Sequence, residues 1–303
     1  MARAEGEGRG ALKKGTDPKF RISKKGVCPL FLAFALAAGA AQARDYGEWL
    51  TSTAAPYEEI VHVAVRPGVD EPVLLSMASA GQKPKRILML FPGYPGIMKL
   101  QEKDGRVWFK LLGNYLLRSR ALFVDSETAA ASVDAPTDQY CCFDDEFRLS
   151  NTHAADVGKI VDVLAARFPG AEIYLVGTSR GTVSVAPLAV ALGTKIAGAV
   201  MTSSIVQATR AGPGVASFDF GAVKVPMLFV HHEYDGCVAT PYARARDLAA
   251  RYRLPLVTVT GSSSTHGPPC EAFSYHGFAG REREVAGAIM QWVKTRAVAP
   301  TIQ

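Results

Sequence analysis

Long hydrophobic runs are missing from this chain of 303 residues. Its most apolar stretch, Val27 to Ala38, is far short of the roughly 20 residues a membrane-crossing helix needs. No stable membrane anchor is expected. Charge of one sign is scarce too, once the N-terminus is set aside. Residues 1–43 hold eight Lys/Arg against Glu5, Glu7 and Asp17, a net of +5 out of the formal +6, which leaves +1 for the rest. No basic stripe interleaved with aromatics follows, which argues against nucleic acid as a partner. There are only five cysteines. Neither a C-x-x-C motif nor a histidine pair at ligand spacing accompanies them, so neither a metal nor a cofactor is expected. Internal repeats and low-complexity segments are also lacking, which argues against a structural or adhesive role.

What the chain does have begins with a basic head that reads as an export signal. Lys24-Lys25 precede the apolar run, and Ala41-Gln42-Ala43 is the small-x-small pattern that signal peptidase cleaves. Residues 1–43 are therefore expected to be removed, and 44–303 to form one domain in the periplasm or outside the cell. Cys28 opens the apolar run instead of following it, so it leaves with the peptide and no lipid anchor is expected. Four cysteines stay: Cys141, Cys142, Cys237 and Cys270. An even number in an exported chain suggests disulfides.

Past a lead-in from Asp45 to Ala55, apolar patterning alternates between strand and helix periods. Ile60 to Val65 and Val73 to Met77 read as antiparallel strands, and Arg86 to Phe91 as a strand buried on both faces. Trp108 to Leu117 is expected to be helical and Ala121 to Val124 a strand. The polar stretch Asp125 to Phe147 either shapes a pocket or is a surface excursion. Ser150-Asn151-Thr152 caps a helix that runs to about Phe168, with His153 a capping or surface residue. Strands are expected at Ile173 to Val176, Ile196 to Met201, Met227 to His231 and Leu256 to Thr260. Helices are expected after Ser179, over Pro241 to Tyr252 and over Glu282 to Lys294. The connection from Ser203 to Val223 is too short for a large cap domain. This alternation predicts an α/β class fold, with a mostly parallel sheet covered on both faces.

The chemistry centres on Ala171 to Pro187, where a strand turns through Gly177-Thr178-Ser179-Arg180-Gly181 into a helix. G-x-S-x-G in that context is a nucleophile elbow: a turn with room only for glycines lifts the serine hydroxyl above the sheet. A serine nucleophile needs a base, and the base needs an orienting acid. Asp235, just past the strand Met227 to His231, is the candidate acid, with Glu233 its rival. His276, between Tyr275 and the last helix, is the candidate base, with His266 its rival in a serine-rich loop. One of His231 and His232 is expected to face the core. The loop Phe91-Pro92-Gly93-Tyr94-Pro95-Gly96 follows a buried strand, so the backbone N–H groups of Tyr94 and Arg180 are candidate oxyanion donors. A Cys237–Cys270 bridge would tie the acid loop to the base loop. Cys141 and Cys142, adjacent in sequence, form a vicinal bridge or remain thiols.

From about residue 57 to 295 the chain resembles the α/β-hydrolase superfamily, and more narrowly the exported bacterial dienelactone-hydrolase-like esterases. FPGYPG, GTSRG, HHEYDGC and SYHGF carry the resemblance. It implies an α/β-hydrolase fold without a large cap domain, with Ser179 as nucleophile, Asp235 as acid and His276 as base. The expected activity is hydrolysis of a small-molecule carboxylic ester of modest size. A peptidase or thioesterase on the same scaffold, or a binding protein that kept the fold, are the alternatives.

Overall fold

The computed structural model describes residues 54–262 and 265–303. The export signal read in residues 1–43 lies outside the described residues. Among the described residues nine strands form one sheet, ordered β1-β2-β6-β3-β7-β8-β9-β10-β11. They are β1 (Tyr57–Arg66), β2 (Val69–Met77), β3 (Arg86–Phe91), β6 (Thr128–Val133), β7 (Glu172–Thr178), β8 (Gly198–Thr202), β9 (Met227–His232), β10 (Leu256–Val259) and β11 (Thr301–Ile302). β1, β2 and β6 pair antiparallel, and from β6 to β11 every pairing is parallel.

Alternation along the strands divides the core in two. Ile173 and Leu175 of β7, with Met89, Met201 and Phe229, face one side of the sheet. There they pack on Ile160 and Leu164 of α3 (Asn151–Arg167) and on Val185 and Leu188 of α4 (Gly181–Ala191). Tyr174 and Val176, with Leu88, Leu90, Val200 and Leu228, face the other side. They meet Leu116 of α1 (Tyr115–Arg118) and Ile289 and Trp292 of α6 (Glu282–Thr295). Helix α5 (Tyr242–Tyr252) adds Ala245 to the first side. The sheet is thus covered by helices on both faces, in keeping with the alternating pattern in the sequence.

Three expectations need correction. Trp108 to Leu117 is not a helix. Residues Gln101–Lys103 (β4) and Arg106–Trp108 (β5) form a ribbon around Asp104-Gly105, both at positive φ, and only the single turn of α1 is helical. Asp-Gly at such a turn is a hairpin signal that the apolar content of the following residues obscured. Ala121 to Val124 is not a strand either: Arg120–Phe123 is a 3₁₀ turn that drives Phe123 into the core. The strand lies within the supposed polar stretch, as β6. Its alanines leave little hydrophobic signal, yet all six residues are buried between β2 and β3.

His153 is the third correction. It is buried, with its ring against Phe143 and Phe147 and, among the described residues, no hydrogen-bond partner for either ring nitrogen. Burial lowers its pKa from 6.5 to about 3. The folded chain therefore refuses a proton that the unfolded chain accepts below pH 6.5. Its contribution to stability is intact above that pH and is lost as pH falls toward 3, at about 1.4 kcal/mol per pH unit. His153→Leu should remove this dependence. Relative to their difference at pH 8, the variant should gain about 2–3 kcal/mol on the wild type at pH 4.5, read from denaturant unfolding at both pH values. An unchanged difference would mean that His153 does not exclude the proton.

Candidate active site

β7 ends at Thr178, and Ser179 takes the left-handed conformation, φ 52°, which costs a non-glycine residue energy and needs support from its surroundings. The flanking glycines explain how the turn closes. A Cβ on Gly181 would come within 2.0 Å of the Phe91 carbonyl oxygen, and one on Gly177 within 2.8 Å of the Gly181 oxygen. The start of α4 thus sits directly on the end of β3. Ser179 N–H donates to the Thr202 carbonyl at 3.0 Å, and its side chain is left half-buried.

The loop after β3 rests on the same turn. A Cβ on Gly93 would meet Ser179 Cβ at 3.0 Å. Tyr94 follows, 72% exposed, and precedes a cis bond to Pro95. Among the described residues the backbone N–H groups of Tyr94 and Arg180 have no protein acceptor.

Asp235 and His276 are brought together at the C-terminal end of β9. His276 Nδ1 lies 3.0 Å from Asp235 Oδ2. The carboxylate also accepts from Thr240 Oγ1 at 2.8 Å and from Cys237 N–H at 2.9 Å. The His276 backbone is held from three sides. Its N–H donates to Ser274 Oγ, its carbonyl accepts from Ser203 Oγ at 2.7 Å, and the next carbonyl, of Gly277, accepts from Arg118. Thr202 and Ser203 are consecutive, so two adjacent residues at the end of β8 grip the backbones of Ser179 and His276 in turn. The rivals lie elsewhere: Glu233 is exposed, and His266 stacks on Phe273 with ring centroids 5.3 Å apart.

Both His231 and His232 are buried, where one was expected to face the core. His231 Nε2 meets Ser204 N–H and Oγ, each at 3.1 Å, and burial lowers its pKa to about 4. His232 accepts from Tyr234 N–H and pairs with the Gly261 carbonyl, and burial lowers its pKa too.

Four buried residues around the site had no signature in the sequence. Thr240 bonds the acid and lies 3.2 Å from His276 Nδ1. Arg118 reaches from α1 to Glu282 of α6 at 2.9 Å and lies over the Phe273 ring. The remaining two sit on α2 (Asp145–Arg148). Asp145 pairs with the Arg180 guanidinium, and Arg148 donates to Ser184 Oγ of α4 at 3.0 Å and to the Pro95 carbonyl at 3.2 Å. Burial lowers the Arg148 pKa to about 9, which still leaves it charged at neutral pH. One turn of helix thus braces both the elbow and the loop after β3. In sequence, Asp144 to Arg148 reads as an ordinary polar surface turn, because nothing local shows that its charges find partners.

Cys237 and Cys270 form a disulfide, S–S 2.07 Å, that closes a loop with a sequence separation of 33. The Cys141 and Cys142 sulfurs lie 2.7 Å apart on an exposed turn. A shallow cavity of about 200 Å³ beside the bridge is lined by Tyr234, Thr265, His266, Pro269 and Tyr275. Among the described residues no group of three or more His, Cys, Asp or Glu is placed to hold a metal ion. Among the same residues no helix is long and apolar enough to cross a membrane.

No protein-family model matches the chain, and no curated protein matches it by sequence. Solved structures share its fold. Est1E from Butyrivibrio proteoclasticus matches with a TM-score of 0.52 and 14% identity, over 78% of this chain and 97% of that one. A lid-less a/b serine hydrolase from Xanthomonas campestris matches with a TM-score of 0.53 and 12% identity, over 80% and 97%. An alpha-beta serine hydrolase homologue from Coxiella burnetii matches at 0.50 and 13%, over 78% and 97%. The chain has the α/β-hydrolase fold.

The Cys237–Cys270 bridge spans a sequence separation of 33. Closing a loop of that size restricts the unfolded chain by an amount worth about 3–4 kcal/mol. Replacing both Cys237 and Cys270 by Ala should lower the unfolding free energy by about that much in denaturant titrations. Replacing Cys141 and Cys142 instead should change it by less than about 1 kcal/mol, as is usual for exposed positions.

Proposed function

We propose that the protein is an exported serine hydrolase that cleaves a carboxylic ester of modest size through an acyl-serine intermediate. The observation that carries this reading is the 3.0 Å contact of His276 Nδ1 with Asp235 Oδ2, at the sheet edge where Ser179 holds its left-handed φ. With Nδ1 committed to the carboxylate, Nε2 is the nitrogen left to act as base. Ser179 Oγ attacks the ester carbonyl carbon and His276 takes its proton. The carbonyl π pair moves onto oxygen, where the N–H groups of Tyr94 and Arg180 stabilise the charge. His276 then protonates the departing alcohol. In the second half, water attacks the acyl-enzyme by the same route and frees Ser179.

An ester is preferred to an amide because an alkoxide departs with less help from the acid than an amine anion does. An amide or thioester on the same scaffold is the near alternative, since fold alone does not set the leaving group. Export is supported by the Cys237–Cys270 disulfide, a bond that persists in oxidising compartments.

A fluorophosphonate probe tests the reading. It should label the wild type and leave Ser179→Ala unlabelled, and hydrolysis of p-nitrophenyl esters by that variant should fall by about 10⁴-fold or more. A wild type that neither reacts with the probe nor cleaves any ester across a graded acyl series would be a binding protein, and the proposal would fail.

A further inference from the structure

We infer that Asn114 is a further catalytic residue, whose side-chain amide donates a third hydrogen bond to the oxyanion formed at Ser179. The inference rests on the serine-hydrolase reading above and adds to it a group from outside the elbow and the loop after β3.

Asn114 is the N-cap of α1, with φ −58° and ψ 135°, and its Oδ1 accepts from the Leu116 N–H at 3.1 Å. That bond fixes the amide. Oδ1 is committed to the helix end, so Nδ2, a donor with two hydrogens, points away from it. The backbone is pinned as well: Asn114 N–H donates to the Leu111 carbonyl at 2.8 Å, and its own carbonyl accepts from Arg118 N–H at 2.9 Å.

Where Nδ2 lies is given by the space over Gly93. A Cβ built there would meet Ser179 Cβ at 3.0 Å, the Thr178 carbonyl oxygen at 3.3 Å and Asn114 Nδ2 at 3.4 Å. The amide nitrogen and the Cβ of Ser179 therefore border one small space, beside the residue that precedes the Tyr94 N–H. Asn114 is half-buried, so its donor is neither sealed in the core nor fully hydrated. A capping asparagine needs only its oxygen, and a cap alone gives no reason for the amide nitrogen to lie beside the elbow.

In the reaction Asn114 makes no covalent bond. As Ser179 Oγ bonds to the carbonyl carbon and the π pair shifts to oxygen, Nδ2–H shortens its contact with that oxygen alongside the Tyr94 and Arg180 N–H groups. Such a donor acts mainly in the transition state and is worth about 10²-fold in kcat.

Two variants keep the cap and remove the amide donor, the serine hydroxyl being too short to stand in for it. Asn114→Asp is isosteric and retains an acceptor for the Leu116 N–H, and Asn114→Ser retains a shorter one. The measurements are kcat and KM on a p-nitrophenyl ester, the rate of fluorophosphonate labelling, and the melting temperature. Both variants should melt near the wild type while kcat and the labelling rate fall by about 10²-fold and KM moves little. Wild-type kcat and labelling in either folded variant would overturn the role of Asn114 and leave the Ser179 reading standing. A rise in KM at unchanged kcat would overturn it also, by placing the amide in ground-state binding. A wild type that the probe does not label would instead sink the hydrolase reading, and this inference with it.

Discussion

The missing side chain at Gly181 is the constraint on which the rest depends. Helix α4 begins so close to the end of β3 that any Cβ there would lie inside the contact radius of the Phe91 carbonyl oxygen. That approach sets two things at once. It forces the chain between β7 and α4 into so tight a turn that Ser179 takes a left-handed φ, and it draws Pro92 and Gly93 against that turn. Were α4 to start even an ångström farther out, the loop after β3 would lose its reference point and the Tyr94 N–H its relation to the serine. The close approach needs no attractive interaction of its own. It is held by apolar packing of α4 and β3 on the same side of the sheet, which stabilises the arrangement as a whole.

Asp235 and His276 depend on a different kind of restraint. Strand order brings the ends of β7, β8 and β9 side by side, but His276 follows β10 by a long excursion and cannot inherit its position from the sheet. Its place is fixed by hydrogen bonds to its backbone, from Ser203 on one side and the buried Arg118 on the next carbonyl. The Cys237–Cys270 bridge adds a covalent limit on how far the loops carrying Asp235 and His276 can separate. Thr240 then completes the shell of Asp235, so that both carboxylate oxygens are engaged before His276 is counted. A carboxylate so bound has little freedom to rotate away from the imidazole.

What the sequence shows of this follows from where the information is local. The elbow is legible because its glycines, the strand before it and the helix after it are contiguous. The parallel strands are legible because burial on both faces demands continuous apolar runs, as in Arg86 to Phe91. Asp235 and His276 could be nominated from order along the chain and from the loops they occupy. β6 was hidden because a strand of alanines between two neighbours needs no bulky residues to be buried. The β4–β5 ribbon is not legible because the apolar residues from Trp108 to Leu117 also fit a helical pattern. Arg118, Arg148, Asp145 and Thr240 were illegible for a deeper reason. Their roles are defined by partners more than thirty residues away in most cases, and no spacing rule reaches that far.

The choice of buried ions to brace the site also says something about its design. Removing an arginine or an aspartate from water costs several kcal/mol, and packed leucines of the same volume would often give equal or greater stability. Yet apolar contacts are tolerant of sliding, whereas a guanidinium bound to one carbonyl and one hydroxyl has a single satisfactory position. Arg148 joins the Pro95 carbonyl to Ser184, and Asp145 joins the elbow arginine to the Gly214 N–H. Each pair therefore fixes a distance between segments that the sheet itself leaves adjustable. The same logic explains why these groups cluster on α2, which is too short to hold its own shape without them. Its charges are satisfied only when the elbow and the loop after β3 are both in place, so the order of the site and the order of this turn are one cooperative property.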